Sequence, residues 1–216
     1  MIRVLLVDDD PLVRSALGLM LGGQSDLEVV AEAGDGQQAV AAAREHRPDV
    51  VLMDIRMPVL GGLEATRILH AASSPPRVIV LTTFDGDDYV VSAIAAGADG
   101  FVLKDTPPAQ IVDAIRKVAD GEPMLSPTAT ATLIRRVRDG ADPGRAEAAG
   151  ERLATLTERE REVALAVGEG LSNAEIAAKL YLSVPTVKAH VSRLFDKLSA
   201  TNRVQIAICV HDAGWV

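Results

Sequence analysis

Apolar and β-branched residues fall in five short runs, near 2–7, 28–32, 49–54, 77–82 and 99–103. Between them lie Ala-rich stretches whose apolar positions recur at helical spacing. This alternation predicts five strands joined by helices. A parallel crossover needs about a dozen residues and usually takes a helix, so the first part of the chain is expected to be α/β, a doubly wound five-stranded parallel sheet covered on both faces. Pro107-Pro108 open its last helix, which should run to about Ala119 and stop at Gly121. Periodicity is lost over 139–152, DGADPGRAEAAGER, which reads as linker, with a helix near 128–138 before it.

Helical spacing then returns. Thr157 with Glu160 and Ser172 with Glu175 are capping boxes, and Ser183 starts a third helix. There Val187, Val191, Leu194 and Leu198 form a stripe to be buried, leaving Lys188, Ala189, Ser192 and Arg193 outward. A fourth helix, Arg203 to about His211, carries Val204, Ile206, Ala207, Ile208 and Val210, more apolar surface than one face needs, which suggests a dimer seam. Tyr181 is assigned to the core, and Leu165, beside Ala164 and Ala166, to an exposed position or a repacked first helix. The expected division is 1–120, a linker over 121–152, and a small all-α domain of four helices over 153–216.

The 216 residues, 48% hydrophobic and 24% charged, are ordinary for globular protein. No apolar run reaches the roughly 18–20 residues that span a bilayer. The opening MIRVLLVDDD has no basic region, long apolar region or cleavage site, so a cytoplasmic protein without membrane insertion is expected. Cys209 is the single cysteine, so any metal must be held by oxygen. The net charge of -8 looks wrong for a nucleic-acid binder, but residues 1–120 hold it all, with 10 basic against 18 acidic groups. Residues 184–203 are locally +3: Lys188, Arg193, Lys197 and Arg203 stand against Asp196.

Ligands of open α/β sheets bind outside the carboxyl ends of the strands. Here those ends read Asp8-Asp9-Asp10, Asp54, Thr82-Thr83 and Lys104. Three acids near one lysine invite a divalent ion, and an oxygen set with room for phosphate and water suits Mg²⁺; a carboxylate beside it can accept a phosphoryl group. Asp10, followed by Pro11, reads instead as a helix N-cap, Thr83 as a turn residue, and His46 and His70 as solvent-exposed dipole partners at helix ends.

The blocks VDDDPLVR, DVVLMDIRMP, VIVLTTF and GADGFVLKD resemble the receiver domain of two-component response regulators over about residues 1–120. The resemblance implies strand order 2-1-3-4-5 and makes Asp54 the aspartate phosphorylated by a sensor histidine kinase. It implies Mg²⁺ held by Asp8, Asp9, Asp54 and the Arg56 carbonyl, with Thr82 and Lys104 on the phosphoryl group and Phe101 at the aromatic switch position. Asp105 stands where many receivers have proline after the lysine.

Two short capped helices before a longer one with a basic outer face form the pattern of a helix-turn-helix reader. LTEREREV, GLSNAEIA and TVKAHV resemble the LuxR-type domain of the NarL/FixJ response regulators over about 153–216. By that resemblance Lys188, Ala189 and Ser192 face base edges of promoter DNA, Thr186, Arg193, Lys197 and Asn173 are candidates for the phosphate backbone, and Val204 and Ile208 lie in a homodimer seam. His190 is given a packing or backbone role. Phosphorylation is expected to release the DNA-binding domain or to promote dimers.

Two rivals stand beside this reading. Asp8-x-Asp10 after an apolar strand also resembles the opening motif of haloacid-dehalogenase-type phosphatases, with Asp8 as nucleophile. A phosphorylation-independent DNA binder would use the first domain only as a platform.

Overall fold

The computed structural model describes residues 1–83, 87–125, 129–130 and 143–216. The chain divides into two compact units, Met1–Thr130 and Ala131–Val216.

In the first unit the strands are β1 Ile2–Val7, β2 Leu27–Ala33, β3 Val50–Met53, β4 Arg77–Thr82, β5 Gly100–Leu103 and β6 Met124–Leu125. All pair in parallel, in the order β2-β1-β3-β4-β5-β6. The expected order 2-1-3-4-5 is present, with a short sixth strand added at the β5 edge. Helices α1 Pro11–Gly22, α2 Gly36–His46, α3 Gly62–His70, α4 Asp87–Ala96 and α5 Pro108–Ala119 make the crossovers. Successive strand side chains point to opposite faces. Val4 and Leu6 accordingly pack in one apolar cluster with α5, while Leu5 and Val7 pack in another with Ala39, Ala43, Ala65 and Leu69 of α2 and α3. The sheet is therefore wound on both faces. Asp10 caps α1, its carboxylate accepting from Leu12 N at 2.8 Å, with Pro11 as the first helical residue.

The second unit is all-helical: α6 Pro143–Ala154, α7 Glu158–Gly168, α8 Asn173–Leu180, α9 Val184–Leu198 and α10 Arg203–Asp212. Both capping boxes form, and Ser183 caps α9. The predicted stripe Val187, Val191, Leu194 and Leu198 is buried in a core shared with Ile176, Ile206 and Val210.

Three expectations change here. The segment read as linker over 139–152 contains most of α6, whose Ala149 and Leu153 are fully buried in the helical core, so the described unit has five helices rather than four. Of the helix expected near 128–138, only 129–130 lie among the described residues. Tyr181 is not core but 95% exposed. Leu165 is partly buried against the same core as Ala164 and Ala166 rather than exposed.

Candidate functional site

Parallel register brings the carboxylates together. Val7 pairs with Met53, Met53 with Val80, and Thr82 with Leu103, so the residues that follow leave the sheet along one edge. The Asp54 amide donates to Val7 O at 2.9 Å and the Lys104 amide to Thr82 O at 2.9 Å, which holds these ends side by side. Gly62 starts α3 tight against the acid, where a Cβ would lie 1.8 Å from the Asp54 carbonyl oxygen. Any side chain at position 62 would displace the β3–α3 loop.

Asp8, Asp9 and Asp54 each offer an oxygen, all within 4.8 Å of one another. Asp8 and Asp54 are buried and Asp9 is exposed. Lys104 Nζ bridges the buried pair, 2.6 Å from Asp8 Oδ2 and 3.3 Å from Asp54 Oδ1. Burial pushes the Asp54 carboxyl up from its ordinary range; Lys104 opposes this and the Asp8 charge adds to it. Burial alone would lower Lys104, but its hydrogen bond to Asp8 and the fields of Asp54 and Asp8 outweigh it and leave the ammonium raised. The site thus holds an excess of anionic charge over one fixed cation, all of it on hard oxygen donors. That donor set fits Mg²⁺.

Thr82 is fully buried at the end of β4. Phe101 is 1% exposed and packs with Ile55, Val80, Val90, Ala93, Ala98 and Ala129. The Arg56 side chain is exposed, its guanidinium 5.3 Å from the Tyr89 ring centroid with Nη2 donating to the Tyr89 hydroxyl at 2.5 Å. A further anchor escaped sequence reasoning: Arg14 Nη1 donates to the Asp8 carbonyl at 2.6 Å, and Arg14 Nε pairs with Glu32 at 3.2 Å. Its signal was available, since Arg14 is the only charged residue of α1. Asp10, the second acid of the phosphatase reading, is engaged in capping α1. His70 is half-buried rather than solvated, beside Gly97, and burial lowers its pKa.

In the helical unit Thr186, Lys188, Ala189, Ser192 and Arg193 are all exposed on or near the outer face of α9. Thr186 Oγ1 lies 2.7 Å from the Ser183 hydroxyl. Two other expected phosphate contacts have partners within the unit. Asn173 is 4% exposed and its Oδ1 accepts from Arg203 Nη1 at 2.7 Å; the same guanidinium also donates to Leu171 O. Lys197 Nζ donates to buried Glu160 at 2.7 Å. That bond, with the capping bonds from Thr157, holds Glu160 down at about 2. Of the basic residues behind the local +3, Arg203 is buried, Lys197 is exposed but paired with Glu160, and Lys188 and Arg193 are exposed on α9. His190 is half-buried, and its Nδ1 has no hydrogen-bond partner among the described residues. Val204, expected at a dimer seam, is buried, while Ile208 is half-buried.

An acid pocket at the carboxyl edge of a doubly wound sheet, followed on the same chain by a capped helix-turn-helix, defines a signal receiver joined to a DNA-binding domain. The chain belongs to the two-component response regulators: residues 4–116 match the response regulator receiver domain family, and residues 154–210 match the luxR family of bacterial regulatory proteins. It is 41% identical over 207 residues to the uncharacterized transcriptional regulatory protein YxjL of Bacillus subtilis, covering 96% of this chain and 94% of the relative. It is 39% identical to the transcriptional regulatory protein LiaR of the same organism, covering 98% and 97%. The crystal structure of the response regulator ChrA, from a heme-sensing two-component system, matches with a TM-score of 0.54 at 35% identity, covering 100% of this chain and 98% of that one. The chain is thus a DNA-binding transcriptional response regulator, not a turnover enzyme. No helix among the described residues is long and apolar enough to cross a membrane.

Proposed function

We propose that this regulator is switched by phosphorylation of Asp54 by a sensor histidine kinase and then binds promoter DNA through α9. The observation that carries the reading is the Lys104 ammonium bridging Asp8 and Asp54, with Asp9 alongside. An ionised Asp54 oxygen attacks phosphorus and the bond to the donor breaks, with no general base needed. Lys104 takes part of the charge on the phosphoryl oxygens, and the Thr82 hydroxyl donates to one of them. Asp8, Asp9, Asp54 and the Arg56 carbonyl would hold Mg²⁺, which would supply further neutralisation of charge at the site.

The new anion adds about -1.5 to -2 charge at one strand end. Thr82 moves toward it, the already buried Phe101 repacks behind it, and the outer face of the last receiver elements changes. The outcome is release of the helical domain or dimerisation through α10 about Ile208, in the cytoplasm. On DNA, Lys188, Ala189 and Ser192 face base edges, and Arg193 and Thr186 face phosphates. So few exposed cations per copy on α9 give only weak, salt-sensitive binding, so two copies on a near-palindromic site supply the affinity.

The test is intact mass and duplex affinity after incubation with Mg²⁺ and a small-molecule phosphodonor. One phosphoryl adduct on the unaltered chain, absent from Asp54→Asn and absent with chelator, together with tighter DNA binding, supports the switch. Equal DNA binding and no adduct in both proteins refutes it.

A further inference from the structure

Tyr181 occupies the turn between α8 and α9, and two facts about it pull in opposite directions. Its backbone is left-handed, at φ 55° and ψ 46°, a conformation that favours glycine at this place after a helix. Its side chain is 95% exposed and contributes nothing to the core beneath it. The turn is fixed from several sides. Tyr181 N donates to Ala177 O, Leu182 N donates to Ala177 O at 2.8 Å, and Arg159 Nη2 donates to Leu180 O at 3.1 Å. Leu182 then packs into the helical core. The surroundings impose the backbone geometry, and glycine would satisfy it without strain. A bulky phenol held there in solvent calls for a role outside the folded unit.

Its place names the partner. Tyr181 stands two residues before Ser183, the N-cap of α9, and the exposed first turns of that helix carry Thr186 and Lys188. In a helix-turn-helix the N-terminal residues of the second helix reach base edges in the major groove. The turn that leads into them therefore comes to the strand bordering the groove. Phosphate oxygens accept hydrogen bonds from tyrosine hydroxyls as well as from cations. We infer that Tyr181 is a DNA-backbone contact, its hydroxyl donating to a phosphate oxygen beside the groove that α9 enters. This rests on the reading of α9 as the DNA-facing helix.

A neutral donor leaves a signature different from that of a lysine. It displaces no counterion, so its loss weakens binding without changing the slope of log K against log salt, whereas loss of a lysine lowers that slope by about 1. It reads no base, so the loss is the same on every sequence.

The experiment uses the full chain with two duplexes, one of mixed sequence and one selected by the chain from a random library. Tyr181→Phe, Tyr181→Gly and Lys188→Ala are titrated over a range of salt, and each variant is melted. The expected result is a loss of about tenfold to a hundredfold for Tyr181→Phe, the worth of one hydrogen bond to a charged group. It should be equal on both duplexes, with an unchanged salt slope. Tyr181→Gly should lose at least as much affinity while its Tm stays level or rises. Loss in Lys188→Ala without loss in Tyr181→Phe overturns the tyrosine contact alone, and loss in neither overturns the α9 reading with it. Loss in Tyr181→Phe confined to one duplex, or a Tm of Tyr181→Gly that falls with its affinity, also overturns the contact.

Discussion

Two buried carboxylates facing one ammonium make the Asp54 site work against the fold that holds it. Asp54 is desolvated and close to the charge of Asp8, and both raise its pKa against the pull of Lys104. Removing the Asp54 charge is therefore expected to stabilise the first unit. In chelator, Asp54→Asn should raise its Tm by a few degrees, since about 1 kcal/mol moves Tm by roughly 4 °C in a domain of this size; a differential scan of the two proteins checks it. Glu160 has the opposite sign. Its folded pKa lies at about 2 against an ordinary 4.5, so its contribution is complete above the ordinary value and is lost as pH falls through that window. Glu160→Gln should cost the helical unit about 1–2 kcal/mol near neutral pH, limited because the Lys197 ammonium is partly in water. Melts from neutral to acid pH should show that difference closing below the ordinary carboxylate range. The partners of Asn173 and Lys197 were not legible in the sequence, because a polar residue at a helix start or on a basic stretch looks outward until the fold supplies its partner. Those partners, Arg203 and Glu160, lie 30 and 37 residues away.

Helices and strands were legible wherever an apolar period or a cap marked them. Strand β3 is four consecutive buried residues, and the boxes at Thr157 and Ser172 form as their spacing required. The misses are elements with little apolar signal. Strand β6 is two residues long, too short for any period, and α6 offers the core chiefly Ala149 and Leu153 among Gly, Glu and Arg. Two glycines separate these cases by experiment. A Cβ at Gly150, inside α6, meets nothing within 4 Å, so Gly150→Ala should stabilise the helical unit by about 0.5–1 kcal/mol. Were the segment an unstructured linker, thermal melts would show no gain. At Gly62 the same change sets a methyl against the Asp54 carbonyl, so Gly62→Ala should cost about 3 kcal/mol or more and abolish phosphoryl uptake, read by melting and by mass.

The boundary between the two halves follows from α6. A fragment of residues 143–216 should melt cooperatively, whereas residues 155–216 lose Leu153 and Ala149 from the core. Burying one leucine is worth about 1.5–3 kcal/mol, so circular dichroism melts should place the shorter fragment well below the longer one. The charge count changes at this level too. Net -8 describes the chain, but Lys188 and Arg193 are exposed on α9, with Lys197 exposed and paired to Glu160 and Arg203 buried. The outer face of α9 has a further property: Ala189, Ser192 and Arg193 are exposed, while its buried stripe carries the packing. Substitutions at those three positions should leave melting almost untouched. If α9 reads promoter DNA as proposed, one copy is free after a gene duplication to drift toward a new set of promoters while both daughters fold equally well, so regulatory circuits can branch without passing through an unstable ancestor.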